Sequence, residues 1–126
     1  KVNFCKGYRN LNLKSSFKRG MPLIRIFGAS ALTFISKITT NNFNLKDVTN
    51  GLFGMKSRVL KEINLKNLKL NYFFEQDLIF RISLKKIKVH QINSEVIYGD
   101  ETSSLSVLKS IIPFLIYHIQ NFFYKN

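Results

Sequence analysis

The sequence predicts an α/β or α+β domain, and one that reads as part of a larger sheet domain. Two short strand-like runs, residues 50–56 and 88–98, are mixed with helical runs before, between and after them. That is too few strands for a complete doubly wound sheet. The length of 126 residues suits one domain, and 45% hydrophobic content is enough to bury a core.

Residues 1–20 are basic and mixed, with turn signals at Gly7 and at "KRG", Lys18 to Gly20. "MPLIRIFGASALTFISKI" predicts a helix with Pro22 in its first turn. Ile24, Phe27, Gly28, Ala31, Ile35 and Ile38 fall on one face of it, and Gly28 and Ala31 would let another backbone come close. "TTNNFN", Thr39 to Asn44, reads as a loop. "NGLFGMK", Asn50 to Lys56, reads as a turn and a short buried strand, and "SRVLKEI" as a helix with Ser57 as its N-cap. A Lys- and Asn-rich connection, Asn64 to Asn71, leads to a helix over 72–86. Residues 88–98 alternate imperfectly, as a strand does; "GDETSS", Gly99 to Ser104, is a polar loop; Leu105 to Tyr124 is a last helix.

The formal net charge is +13, from 20 Lys and Arg against seven acids. Such an excess attracts polyanions: nucleic acid, anionic lipid headgroups or phosphorylated substrates. Zinc-finger spacing, an RRM signature and basic heptads are all missing, so nucleic acid is not the expected partner. The first residue is Lys, which predicts a processed chain or a fragment, and no signal-peptide pattern opens it. Cys5 is the single cysteine and can form no internal disulfide. His90 and His118 have no partners at metal spacing and read as structural, as does Cys5.

Four acids form two tight groups, Glu75 with Asp77 and Asp100 with Glu101, while Asp47 opens "DVTNG". Two readings stand for each. Asp77 either pairs with Arg81 four residues on or acts as a base near an acceptor. Glu75 either favours the helix dipole or shares that task, with Phe73 and Phe74 as an apolar wall. Asp47 either bonds its own backbone in a turn or lines a site. Asp100 and Glu101 are either a solvated turn or part of a loop near a ligand. A metal held by Glu75 and Asp77 together is disfavoured, because helical positions i and i+2 point about 200° apart.

Taken in order, these pieces resemble family 2 glycosyltransferases, and more narrowly the bacterial membrane-associated branch related to dolichol-phosphate mannosyltransferases. "KGYR", Lys6 to Arg9, resembles a Lys-Gly-Asn-Arg element with Tyr8 for Asn. "MPLIRIFG" matches a Met-Pro, Arg, Gly pattern; "DVTNG", Asp47 to Gly51, resembles Asp-Pro-Thr-Asn-Gly with Val48 for Pro. "YFFEQD", Tyr72 to Asp77, resembles Tyr-Phe-Phe-Glu-Ser-Asp, and "YGDETSSL", Tyr98 to Leu105, resembles Tyr-Gly-Asp-Glu-x-Ser-x-Leu. The five motifs span nearly the whole chain.

The resemblance implies the C-terminal half of a GT-A (Rossmann-like) catalytic domain over residues 1–104, followed by an amphipathic membrane-interface helix over 105–126. It implies transfer of a sugar from a nucleotide-sugar donor to a polyprenyl-phosphate or saccharide acceptor in cell-envelope glycan synthesis, at the cytoplasmic face of the cell membrane. Asp77, with Glu75 beside it, would serve as base or acceptor contact. Lys6 and Arg9 would lie near the donor diphosphate, and Asp47, Thr49, Asn50 and Gly51 would line the donor-sugar and acceptor pocket. Tyr98, Asp100 and Glu101 would belong to a loop near the acceptor or the membrane. The parent enzyme would use Mg²⁺ or Mn²⁺, whose principal ligands lie upstream of the Lys-Gly-Asn-Arg element and so outside this chain; little activity is expected of the 126 residues alone. The alternative is a non-enzymatic basic module that binds nucleic acid or a membrane surface, and a third reading is a degenerate remnant. In the last segment Leu108, Ile111, Ile112, Leu115, Ile119 and Phe122 form an apolar stripe. That stripe suits a core-packing helix or one lying in a membrane surface beside anionic headgroups, and the resemblance favours the membrane.

Overall fold

The first strand, β1 (Phe4–Tyr8), is central in a three-stranded sheet of order β2-β1-β3. The structure, a computed structural model, describes residues 1–95, 97–99 and 107–125. β2 (Phe53–Met55) pairs antiparallel with β1, Phe4 opposite Met55, and β3 (Val89–Asn93) pairs parallel, Phe4 opposite Val89 and Tyr8 opposite Asn93. The mixed α/β class predicted from the sequence is thus present in a small mixed sheet.

β1 was hidden by its own composition. The Lys-Gly pair at 6–7 reads as a turn, yet both residues are buried in the strand. Gly7 is there because β1 is crossed closely at that point. A Cβ on it would meet Leu52 Cδ2 at 3.0 Å and Ser94 Oγ at 3.1 Å. The Gly20 signal does mark a turn. Helix α1 (Leu13–Lys18), opened by the Asn12 side chain on the Lys14 N–H at 3.0 Å, ends in a Schellman arrangement with Gly20 at φ +80°. Gly20 N–H donates to the Phe17 carbonyl at 3.0 Å, and Met21 N–H to that of Ser16 at 3.1 Å.

Helix α2 (Leu23–Thr40) starts immediately after Pro22 and ends at Asn41, in the left-handed region at φ 53°. Helix α3 (Ser57–Glu62) departs from expectation at its cap: Lys56 holds the N-cap position without a side-chain bond, and Ser57 is the first helical residue. A 3₁₀ turn, Leu65–Asn67, follows, and then α4 (Phe74–Leu84) and α5 (Val107–Lys125).

The main core lies where α3 and α4 cover the sheet: Phe4, Val59, Ile63, Leu78 and Ile82, with Phe53, Phe74 and Val89 packed against them. Burial of about 25 cal/mol per Å² of apolar surface makes this layer the chief stabilising unit. Leu45, Val48 and Ile79 form a second cluster with Leu32 of α2; Met21, Ile26 and Ala29 form a third with Leu11 and Tyr98. α5 rests on the far side, its Phe114 and Tyr117 rings against Phe73 at 5.9 and 5.5 Å.

The apolar face read from α2 is not its buried face. Ile24, Phe27, Ala31 and Ile38 are exposed, while Ile26, Ala29, Thr33, Ser36, Thr39 and Thr40 turn inward.

Candidate functional site

β1 and β3 run in parallel, and polar residues collect beyond their carboxyl ends, the usual place for a ligand in a sheet of this kind. Arg9 follows β1 directly. Its backbone N–H and its Nε both donate to Asp47 Oδ2, at 3.1 and 2.7 Å, and Nη2 donates to Asp47 Oδ1 at 3.2 Å. Nη2 also reaches the Thr49 hydroxyl, and Nη1 reaches the Tyr98 hydroxyl at 2.7 Å. Asp47 Oδ1 accepts further bonds from the Thr49 N–H at 3.0 Å and the Thr49 hydroxyl at 2.8 Å. Asp47 is therefore the turn residue bonding local backbone that the sequence allowed, and it pairs with Arg9 in the same polar cluster.

The ion pair is one-sided in exposure. The Asp47 side chain is 0% exposed and that of Arg9 is 16% exposed. Burial pushes the Asp47 carboxyl up, but the bonds and charge of Arg9, with Thr49, outweigh it and hold the group below the usual carboxylate range. Burial lowers Arg9 in turn, and Asp47 with Tyr98 raises it above its ordinary value. Asp47 thus stays ionised and holds the guanidinium in place.

Lys6, one residue pair back along β1, is 1% exposed and donates to the Asn50 carbonyl. Burial pushes its ammonium down to about 8, against the pull of Asp47 and Glu75. Asn50 donates Nδ2 to Ser94 Oγ at 2.7 Å and accepts the Leu52 N–H at 3.0 Å, which fixes the Asn50–Gly51 turn across the end of the sheet. Gly51 faces Glu75: a Cβ there would lie 3.3 Å from Glu75 Oε1. Glu75 is half-buried, and among the described residues no hydrogen bond ties its carboxylate.

Of the eleven sequence-predicted site residues, the structure brings together Lys6, Arg9, Asp47, Thr49, Asn50, Gly51, Glu75 and Tyr98. Asp77 is elsewhere. It is 3% exposed and its oxygens are taken: Oδ2 accepts Arg81 Nε at 2.8 Å and the Lys69 N–H at 2.9 Å, and Oδ1 accepts the Tyr117 hydroxyl at 2.9 Å. The i, i+4 pairing with Arg81 is formed. Phe73 stacks on Tyr117 and Phe74 lies against Phe53. The two acids of "EQD" face different partners, as their spacing requires. Asp100 and Glu101 lie outside the described residues.

Two depressions meet at Arg9. One is an apolar groove of about 680 Å³ between α2 and α5, lined by Ile24, Phe27, Ile35, Ile111 and Leu115, with Arg9 and Thr49 among its walls. The other, about 470 Å³, has a mixed lining in which Asn10, Lys37 and Lys46 stand beside Leu11, Phe43 and Leu45. Lys46 and Ser94 were missed by sequence reading. Ser94 is the first residue after β3, and a small polar residue at the carboxyl end of a predicted parallel strand is a usable signal. Lys46 sits over the Tyr8 ring, 4.2 Å from its centroid, and donates to the Tyr8 hydroxyl at 3.1 Å. Nothing in its sequence neighbourhood marks that contact.

The described residues of the site do not fit a divalent cation. Both Asp47 oxygens serve Arg9 and Thr49, Glu75 stands beside the Lys6 ammonium, and among the described residues no three His, Cys, Asp or Glu side chains group around a point. No family model, curated protein or solved structure matches the chain.

Proposed function

We propose that this chain forms the acceptor side of a family 2 glycosyltransferase of GT-A type. The parent enzyme transfers a sugar from a nucleotide-sugar donor to a polyprenyl-phosphate or saccharide acceptor at the cytoplasmic face of the cell membrane. One observation carries the reading. Eight residues chosen from motif resemblance, scattered from Lys6 to Tyr98, converge at the carboxyl ends of two parallel strands.

The transfer joins an acceptor oxygen to the anomeric carbon as the bond from that carbon to the nucleoside diphosphate breaks. Arg9, fixed by Asp47, Thr49 and Tyr98, offers an anionic oxygen its charge and the second Nη1 N–H, and Lys37 and Lys46 add charge across the smaller depression. Lys6 is a positioning residue: it holds the Asn50–Gly51 turn from below. Glu75, with its lone pairs uncommitted among the described residues, takes the proton if the acceptor is a hydroxyl and orients the acceptor if it is a phosphate. Asp77 ties α4 to α5, and the task assigned to it by resemblance passes to Glu75. The apolar groove ending at Arg9 supports the polyprenyl phosphate over the saccharide, since an isoprenoid tail suits that lining.

Binding of a polyprenyl phosphate in detergent micelles tests the reading, with the matching uncharged polyprenol as control. The chain is expected to prefer the phosphate, and Arg9→Lys, which cannot reproduce the fork of bonds, to weaken binding by about tenfold or more. Equal affinity for phosphate and alcohol, or indifference to Arg9→Lys, would sink it.

A further inference from the structure

Three buried polar atoms where the helices meet have no hydrogen-bond partner among the described residues: Ser36 Oγ on α2, Gln76 Oε1 on α4 and His118 Nε2 on α5. Their residues are only 2%, 6% and 5% exposed. A fourth such atom, Asn121 Nδ2, is on a less buried residue one turn further along α5. Buried polar atoms are nearly always hydrogen-bonded, so three from three helices call for a common cause.

Helix phase aims them at one place. On α2, Leu32 packs on the cluster that holds Ile79 of α4, and Thr39 Oγ1 lies 2.9 Å from His118 Nδ1 of α5. Ser36 stands one turn from each, on the arc between them. On α4, Ile79 turns toward α2, while Phe73 at the N-cap meets Phe114 and Tyr117 of α5. Gln76 is three residues from both, and so faces the seam between α2 and α5.

The neighbouring bonds fix what each atom can do. Thr39 has one hydroxyl hydrogen and donates it to the Ile35 carbonyl at 3.0 Å. Its oxygen therefore accepts from His118 Nδ1–H, which leaves Nε2 as a bare lone pair. Burial lowers His118 to about 4, so the ring stays neutral at ordinary pH. Gln76 Oε1 is a second acceptor. The Ser36 hydroxyl can donate. Two acceptors and one donor are matched by one small molecule that gives two hydrogens and takes one. Water does this, and a buried water typically makes about three such bonds.

We propose that a resident water molecule binds at the junction of α2, α4 and α5, donating to Gln76 Oε1 and His118 Nε2 and accepting from the Ser36 hydroxyl. α5 is then fastened through solvent here, beside its direct Thr39–His118 and Tyr117–Asp77 bonds. The site is separate from the Arg9 cluster and rests on no part of the transferase reading.

Water-selective cross-relaxation spectra of the isotope-labelled chain test it. A cross-peak at the water frequency, with the sign of a slowly exchanging molecule, is expected on the His118 Hδ2 proton, which adjoins Nε2. It should be lost in Ser36→Ala with Gln76→Met, which leaves the water one of its three partners. It should persist in Ser16→Ala, a buried serine elsewhere whose hydroxyl donates to the Asn10 carbonyl at 2.7 Å. A second measurement needs no substitution: long-range nitrogen–proton correlations of the imidazole should show Nδ1 protonated and Nε2 bare. A wild-type spectrum without the cross-peak, or a cross-peak unchanged in the double variant, would overturn the proposal. So would an Nε2–H tautomer close to the Gln76 side chain, which would mean that imidazole and amide bond each other directly.

Discussion

The Arg9–Asp47 and Arg81–Asp77 pairs use the same parts: a buried aspartate, an arginine with Nε on Oδ2, and a tyrosine hydroxyl. They differ in where the arginine's remaining donors go. Arg81 spends them on the Asn64 and Asn67 carbonyls, so its ion pair closes the connection between α3 and α4 against α4 and α5. Arg9 spends them on Thr49 and Tyr98 and still lines two depressions. The first pair ties elements together; the second holds a cation at an opening. Neighbouring hydroxyls and carbonyls, rather than the ion pair itself, decide between structure and site.

The largest test of this contrast removes each carboxylate. Asp47→Ala leaves Arg9 without its counter-ion and is expected to cost about 3–5 kcal/mol in urea unfolding, together with loss of anion binding. Asp77→Asn retains one acceptor oxygen and is expected to cost about 2–3 kcal/mol while leaving polyprenyl-phosphate affinity unchanged. Loss of that affinity in a folded Asp77→Asn chain would put Asp77 back in the site.

pH sharpens the comparison, because each region holds one displaced base. Beside Tyr117, burial lowers His118 to about 4 from 6.5. The unfolded chain then binds more protons between these values, so His118 makes stability fall as pH drops from 6.5 toward 4. The full effect is up to about 3 kcal/mol, at 1.36 kcal/mol per pH unit of displacement. His118→Asn should flatten that slope. On the site side Lys6 is lowered from 10.5 to about 8, so its contribution rises as pH climbs through that window. Lys6→Met should remove the alkaline gain and leave the acid limb alone. A variant that flattens the other limb would show the two regions to be coupled.

Motif order made Arg9, Asp47, Thr49 and Asn50 legible, and the i, i+4 rule made Asp77–Arg81 legible. What escaped shares a physical cause. Pattern rules assume that charge and glycine stay at the surface, and β1 violates both at Lys6 and Gly7. The same assumption misplaced α2: the helix is there, but the face it turns inward carries Thr33, Ser36, Thr39 and Thr40 beside Ile26 and Ala29, a polar mixture that an apolar-periodicity rule passes over. Ser57 was a residue of the right type one position late, because capping depends on backbone angles at Lys56 that composition does not encode. That Glu75 rather than Asp77 faces Gly51 follows from helix phase, which the sequence contained only once the start of α4 was known.

The smallest expected effect is the finest probe of the comparison. Each arginine–aspartate pair is finished by one tyrosine hydroxyl, donated to Asp77 by Tyr117 and accepting from Arg9 at Tyr98. Tyr117 is 6% exposed, so Tyr117→Phe strips a buried carboxylate of a donor that water does not replace, and is expected to cost about 1.5–3 kcal/mol. Tyr98 is only half-buried and its partner opens onto the groove, where solvent can take up the freed N–H. Tyr98→Phe should therefore cost under about 1 kcal/mol in denaturant, yet loosen the guanidinium enough to lower phosphate selectivity. Equal costs for the two hydroxyls would mean that the Arg9 region is as closed as the Asp77 region, and the distinction between a tie and a site would fail at that point.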